Sequence, residues 1–222
     1  LTLLNLRPGH QVAVLEMGMR GPGQIRYLAR LARPRVGVLT LIAEVHAELL
    51  GSVEAVARAK RELVEELPPS GVAVLNADDP RQRPMAAATR ARVIWYGLGE
   101  GADVTAADLV PRGSGVRFTL RAPGLAAGEA SVDLPLPGRH HVADALAAAA
   151  VGLAFGLGLE EIARGLASAS LPEMRSRIVE AGSLRLIDDT YNACPASVKA
   201  ALETLAQVAP GRRVAVLGDM LE

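Results

Sequence analysis

One lysine occupies a position where the helical pattern calls for an apolar residue. The helix predicted to begin at Ser52 carries apolar side chains at helical spacing, and Lys60 falls on the same stripe. Such a lysine can snorkel, with its stem on apolar surface and its ammonium in water. Alternatively, burial lowers the pKa of the amine, and a neutral amine is a nucleophile, a base or a target for carbon dioxide. The pattern alone leaves both interpretations open.

Two further polar residues follow predicted strands. Glu16 stands near the end of the apolar run 11–17, and His46 comes just after the run 35–42. The carboxyl ends of parallel strands form the crevice in which α/β sheets bind ligands, so both residues and Lys60 are expected at one sheet edge. A carboxylate and an imidazole suit a divalent metal, although neither alone specifies one. An ordinary loop histidine is the alternative for His46.

The elements predicted around these residues alternate between strand and helix. Such alternation is typical of an α/β fold with a doubly wound, mostly parallel sheet. The strands are predicted at 11–17, 35–42, 71–75 and 92–96, and the helices from Ile25 and over 52–67.

The pattern changes after residue 104. Alternating apolar residues predict a small antiparallel β section over 104–136, followed by helices from about His141 and over 159–167. A linker at 170–172 precedes the predicted start of a second, Rossmann-like α/β domain. Its elements are a strand at 183–188, a helix at 195–208 and a strand at 213–217. The predicted domain boundaries are 1–171 and 172–222.

Composition narrows the class of protein. The 222 residues carry 24 Lys and Arg against 24 Asp and Glu, which disfavours nucleic acid or an anionic membrane surface as the main partner. One cysteine, Cys194, forms no internal disulfide, and no apolar run reaches the ~20 residues of a membrane span. A cytoplasmic location is therefore expected. The sequence has no G-x-x-x-x-G-K-[ST] phosphate loop, and both ends are expected to be those of a fragment of a longer enzyme.

Several motifs, in this order, resemble the Mur ligase family. The central ATPase domain of that family is similar in the stretches EMG (16–18), HAELLG (46–51), ARAKRE (57–62) and NADD (76–79). The family's adenine-side motif is similar to PGRH (137–140) followed by ALAAAA (145–150). The stretches DDTYNACPAS (188–197) and LGDM (217–220) resemble the family member that adds D-alanyl-D-alanine. The resemblance covers essentially the whole chain.

The resemblance implies a bacterial, ATP-dependent amide ligase of peptidoglycan precursor synthesis. Its expected substrates are UDP-N-acetylmuramoyl-tripeptide and D-alanyl-D-alanine, joined through an acyl phosphate, and the enzyme is expected to be a monomer. ATP and two Mg²⁺ sites are implied as cofactors, and a fragment without the phosphate loop is expected to be inactive. Two alternatives stay open: a sister ligase of the diaminopimelate- or lysine-adding or folylpolyglutamate type, and a non-catalytic Mur-like binding module.

The resemblance also assigns roles residue by residue. Glu16 and His46 would each ligate one magnesium, and Lys60 would be carbamylated to support the second. The nucleotide would be bound by His141, Asp144, Arg175 and Asp189, and the peptide substrate would be touched by Tyr191 and Asn192. Five positions depart from the residue that is usual in the family, namely Gln24, Leu41, His141, Asp144 and Cys194.

Overall fold

A computed structural model describes residues 2–43, 51–208 and 211–220, and it contains a parallel sheet and two antiparallel sheets. The strands are β1 (Val36–Val38), β2 (Val72–Asn76), β3 (Arg92–Tyr96), β4 (Thr105–Arg112), β5 (Gly115–Arg121), β6 (Glu129–Leu134), β7 (Arg177–Ala181) and β8 (Leu184–Asp188). The α-helices are α1 (Gln24–Ala32), α2 (Val53–Glu65), α3 (Arg139–Ala154), α4 (Leu159–Ala167) and α5 (Pro195–Val208). Short 3-10 helices span Thr2–Asn5 and Arg83–Ala88.

The parallel sheet has the order β1–β2–β3 and is covered on both faces. Side chains of β2 alternate between two apolar clusters. Ala73 and Leu75 pack with α1 and α2, whereas Val74 packs with α3 and the antiparallel section. This arrangement confirms the predicted α/β class with a doubly wound sheet.

Helix α2 begins where the sequence predicts. The hydroxyl of Ser52 accepts a hydrogen bond of 3.2 Å from the backbone N–H of Ala55, which satisfies a free donor of the first turn. Glu54 places a negative charge in the same turn, beside the positive end of the helix dipole. The helix ends at Glu65, shortly before Pro68 and Pro69.

The antiparallel section is a meander of β4, β5 and β6, as the alternation predicts. Phe118 and Leu120 of β5 are buried beside Val132 of β6 in the cluster that also contains α3 and α4. The meander and the parallel sheet therefore share one apolar core.

The second unit contains the hairpin β7–β8 and helix α5. The predicted strand at 183–188 is present as β8, and its partner β7 is an element that the sequence analysis missed. Helix α5 meets the start of α3 where Thr204 lies against Gly138. Among the described residues, no helix is both long and apolar enough to cross a bilayer.

Two predicted strands are wrong. Residues 11–17 and 213–217 are irregular, and their valines lie largely in solvent, with Val14 92% and Val216 93% exposed. An apolar run forms a strand only beside a partner that satisfies its backbone groups, and within the described residues neither run pairs with a strand. Glu16 therefore does not stand at the end of a strand.

Candidate functional site

Strand β1 ends early, and the chain after it is held by side chains instead of a neighbouring strand. The N–H of Leu39 makes the last bond of the ladder, to the carbonyl of Val74 at 3.0 Å. The hydroxyl of Tyr96 then lies 3.0 Å from the carbonyl oxygens of both Leu39 and Thr40. Residues 39–42, predicted as strand, are thus an irregular segment at the carboxyl edge of the sheet.

The last residue of β2 and the loop after it supply the other contacts to this segment. The side-chain amide of Asn76 donates to the carbonyl of Thr40 at 2.9 Å, and that of Gln82 donates to the same oxygen at 3.3 Å. The carboxylate of Asp79 accepts the backbone N–H of Ile42 at 3.0 Å. Asn76, Asp79 and Gln82 are all buried, and the bond of Asp79 to Ile42 forms away from solvent, whereas the two bonds to the carbonyl of exposed Thr40 are partly buried.

Lys60 reaches the same segment from helix α2. Its side-chain nitrogen donates a hydrogen bond of 2.6 Å to the carbonyl of Leu41. Burial lowers the pKa of the Lys60 amine, and the negative charge of Asp79 opposes this effect. The stem is half-buried, so Lys60 is not a lysine that simply ends in bulk water. A larger fraction of neutral amine at a given pH is what reaction with carbon dioxide requires.

The neighbouring aspartate serves a different loop. The carboxylate of Asp78 accepts the backbone N–H groups of Leu98 and Gly99 at 2.7 and 2.8 Å. A side chain at Gly97 would meet this carboxylate, because a Cβ there would lie 2.8 Å from it. Asp78 therefore holds the turn after β3, and Asp79 holds the segment after β1.

Glu16 and His46, the other two residues of the predicted metal site, make no contact with Lys60 within the part of the chain that the structure describes. Glu16 lies in the irregular, exposed segment 11–17. His46 belongs to residues 44–50, which lie outside the described part of the chain. Within the described ranges, no three His, Cys, Asp or Glu side chains gather into a metal-binding group. The metal ligands consequently stay a prediction.

The predicted adenine-side residues lie at the start of α3. The Nδ1 atom of buried His141 is 2.5 Å from the carbonyl of Pro137, and because a carbonyl only accepts, Nδ1 carries the proton. Asp144 is exposed on the next turn of the helix, yet partial desolvation raises the pKa of its carboxyl group, and the proximity of His141 opposes the change.

His140, which the sequence analysis did not single out, lies between the two units. Its ring centroid is 4.0 Å from that of His141. Burial, together with the proximity of His141, lowers the pKa of His140 to about 4, and Asp189 of the second unit acts in the opposite direction. The imidazole is therefore neutral at pH 7.

The remaining predicted residues surround the turn before β7. The guanidinium of Arg175 stacks over the ring of Tyr191, with 4.0 Å from its carbon to the ring centroid. The carboxylate of Asp189 accepts the backbone N–H of Ser176 at 2.9 Å. The side-chain oxygen of Asn192 accepts the N–H of Ala193 at 2.9 Å. Arg175, Asp189, Tyr191 and Asn192 thus form one neighbourhood, linked to α3 through His140.

The site therefore has two parts: the edge that carries Lys60, and the face between α3 and the second unit. Tyr96 lies near both parts, because its hydroxyl contacts the carbonyls of Leu39 and Thr40 and is also influenced by the charge of Asp144. Burial raises the pKa of this hydroxyl, and the charge of Asp144 adds to the increase. The sequence analysis identified the stretch 76–79 as similar to the family but predicted no role for Asp79, and it predicted none for Tyr96. The available signal was a run of polar residues directly after a buried strand.

Comparison with known proteins gives a consistent match. Residues 1–152 match the family described as Mur ligase middle domain, and residues 174–222 match that described as Mur ligase, glutamate ligase domain. The UDP-N-acetylmuramoyl-tripeptide–D-alanyl-D-alanine ligase of Escherichia coli (strain K12) is 39% identical over 225 residues, covering 100% of this chain and 49% of that protein.

Solved structures agree with this match. MurF from Acinetobacter baumannii has a TM-score of 0.92 and 34% identity, covering 99% of this chain and 47% of the other. MurF ligase from Thermotoga maritima, solved in complex with ADP, has a TM-score of 0.82 and 26% identity, covering 92% and 47%. The chain thus spans about half the length of the relatives that it matches.

Proposed function

The chain belongs to the Mur ligase family, and we propose that the protein containing it is an ATP-dependent ligase that adds D-alanyl-D-alanine to UDP-N-acetylmuramoyl-tripeptide. The observation that carries this proposal is the 39% identity, over the whole chain, to a ligase of that name. The stretch 188–197 supports it, because there the chain resembles the D-alanyl-D-alanine-adding member of the family. We further propose domain boundaries at 1–171 and 172–222, a monomer, and a location in the bacterial cytoplasm.

The proposed reaction has two steps. The terminal carboxylate of the tripeptide attacks the γ-phosphorus of ATP, giving an acyl phosphate and ADP. The amine of D-alanyl-D-alanine then attacks the acyl carbon, phosphate leaves, and the amine loses its proton. Both steps bring anions together, so the site must supply positive charge.

Magnesium is the cation proposed for this task. Two ions are proposed: Glu16 would ligate one, and His46 would ligate the second with the support of carbamylated Lys60, so that Mg²⁺ would neutralise charge on the phosphates. The position of Lys60 fits carbamylation, because burial lowers the pKa of the amine. The carbamate would turn a cation into an anion able to support a metal.

The face between α3 and the second unit is proposed to bind the nucleotide and the peptide. His141, whose Nδ1 is occupied by the carbonyl of Pro137, would meet the adenine base through the other edge of its ring. Arg175 and Asp189 would meet the phosphates and the ribose. Tyr191 is 62% exposed, and together with Asn192 it would contact the peptide.

Phosphate release by the full-length protein that contains this chain tests the function. The assay contains ATP and magnesium, with a matrix of UDP-linked peptide acceptors and amine donors. Release that requires both UDP-N-acetylmuramoyl-tripeptide and D-alanyl-D-alanine supports the proposal. Release with glutamate or a diamino acid instead assigns the protein to a sister ligase. ATP binding without turnover under any combination identifies a binding module.

A further inference from the structure

Four side chains converge on the segment 39–42, where β1 leaves the sheet. We propose that these residues, Asn76, Asp79, Gln82 and Tyr96, form a strand-end clamp that positions the catalytic edge of the ligase. The inference rests on the proposed function, because it assigns positioning residues to that same site. None of the four was given a role by the sequence.

The clamp replaces backbone pairing with side-chain bonds. After the N–H of Leu39, the segment makes no further ladder bond with β2. The carbonyl oxygen of Thr40 instead accepts from the side-chain amides of Asn76 at 2.9 Å and Gln82 at 3.3 Å. The hydroxyl of Tyr96 lies 3.0 Å from this oxygen and 3.0 Å from that of Leu39, so its one proton serves both. A carbonyl oxygen that is surrounded by polar groups from the ends of two strands and the loop between them has little freedom to move.

Asp79 contributes the strongest constraint. Its side chain is only 3% exposed, and one carboxylate oxygen accepts the N–H of Ile42 while the other accepts that of Arg81 at 3.1 Å. The guanidinium of Arg81 lies 3.5 Å from the same carboxylate. Burying a carboxylate costs free energy unless donors surround it, and the loss of one partner leaves the other unsatisfied. Here the hydrogen bonds from Ile42 and Arg81 offset this free energy, and the first of them ties the segment to the loop after β2.

The clamped segment is also the one that Lys60 touches. Lys60 donates to the carbonyl of Leu41, between the carbonyl of Thr40 and the N–H of Ile42 that the clamp holds. Two residues after Ile42, the chain enters residues 44–50, which include His46. The clamp therefore fixes the backbone that Lys60 contacts and that leads, in sequence, to His46.

Asp78 provides a matched control. It is the same residue type, stands next to Asp79, and also accepts backbone N–H groups, but it holds Leu98 and Gly99 rather than the segment 39–42. Each carboxylate accepts two backbone N–H groups, but Asp78 is exposed whereas Asp79 is buried, so Asp78→Ala controls for the loss of an aspartate at this turn and not for burial. Only loss of Asp79 should release the clamped segment.

The test is hydrogen exchange and steady-state kinetics of the full-length protein, with Asp79→Ala, Asp79→Asn and Asp78→Ala. In Asp79→Ala, the amides of 39–43 should exchange at least about tenfold faster, since one buried bond is lost. We also expect kcat to fall by at least about tenfold, because misplacement of catalytic groups slows chemistry. Asp79→Asn keeps an acceptor oxygen and should restore most of the protection and of kcat. Asp78→Ala should loosen 97–101 and leave 39–43 protected.

The proposal is overturned if Asp79→Ala leaves the exchange of 39–43 unchanged, if it speeds that exchange without lowering kcat, or if Asp78→Ala releases the same segment. Should Asp79→Ala not fold, Tyr96→Phe removes one hydroxyl without changing the ring, and wild-type exchange in that variant overturns the proposal equally. Failure of the wild-type protein to turn over its substrates would contradict the ligase function. The exchange comparison would still decide whether the clamp exists.

Discussion

The side-chain nitrogen of Lys60 lies 2.6 Å from the carbonyl oxygen of Leu41 and donates a hydrogen bond to it. The bond links helix α2 to the irregular segment that follows β1. It accounts for the interruption of the apolar stripe, because the lysine is directed to a backbone acceptor at the sheet edge and not only to water. The amine consequently stands where burial lowers its pKa, next to the carboxylate of Asp79.

Substitution of this lysine should remove ligase activity. We expect Lys60→Ala in the full-length protein to lower kcat by at least about 100-fold, the scale of losing a preorganised electrostatic group. A short carboxylic acid such as acetate should restore part of the rate, because it can occupy the place of a carbamate. The measurement is phosphate release with both substrates. The control is Lys199→Ala, which changes an exposed lysine of α5. Near-wild-type activity of Lys60→Ala would contradict the prediction and indicate that Lys60 only snorkels.

The lowered pKa of Lys60 also predicts how stability depends on pH. In the folded protein the amine has a pKa below its ordinary value of 10.5. Between the folded pKa and 10.5, the unfolded chain therefore holds a proton on Lys60 that the folded protein has lost. The free energy of unfolding should therefore rise, relative to Lys60→Met, as the pH increases from neutral toward 10.5. Urea unfolding of the two proteins over that range measures the difference. Parallel curves would contradict the prediction.

The sequence predicted best those elements whose signals are local. Helices α4 and α5 have the predicted bounds, and β3 lies where RVIWY predicts a strand. The strand at 11–17 was wrong because an apolar run contains no information on whether a partner strand lies beside it. Equally, Asp79 accepts from Ile42, 37 residues earlier, and no spacing rule indicates such a pair. The residue types thus predicted that Lys60 lies at the sheet edge, while only the structure shows which side chains hold the segment 39–42 that Lys60 contacts.

Protonation of His140 should destabilise the protein in mild acid. The pKa of His140 is lowered from 6.5 to about 4, so between these values the unfolded chain binds a proton that the folded protein does not. Stability should fall as the pH drops from 6.5 to about 4, by about 1–3 kcal/mol, and this contribution should stay constant below that. Thermal unfolding of the wild type and of His140→Gln tests this. The two proteins should diverge only within this window, and equal pH dependence would refute the assignment.

The stack of Arg175 on Tyr191 should matter for the nucleotide. If the ring orients the guanidinium, Arg175→Met and Tyr191→Ala should both raise the KM for ATP, by roughly tenfold for the arginine, which loses a charge-assisted contact. Tyr191→Phe keeps the ring and should leave that KM unchanged. Initial rates at varied ATP, with the other substrates saturating, give the comparison. A Tyr191→Ala enzyme with wild-type KM for ATP would show that Arg175 does not depend on the stack.

The two ends of α3 offer a test of how closely the second unit must approach. Gly138 and Gly156 both have positive φ, at 90° and 83°, but a Cβ at Gly138 would lie 2.5 Å from the hydroxyl of Thr204, whereas nothing lies within 4 Å of one at Gly156. Alanine at Gly156 should cost about 1–2 kcal/mol of backbone strain alone.

Alanine at Gly138 adds the clash to a backbone strain of its own, because φ of 90° with ψ of 152° is open essentially only to glycine. Its loss in Tm should therefore be clearly larger than that of Gly156→Ala. The clash should also separate α5 from the first turn of α3, where His140 and His141 lie. Adding Thr204→Ala to Gly138→Ala removes the nearer obstacle and should recover part of the Tm, but not the strain. Thermal unfolding of the three variants measures each contribution. Equal losses for the two single glycine variants would mean that α5 does not press on this turn.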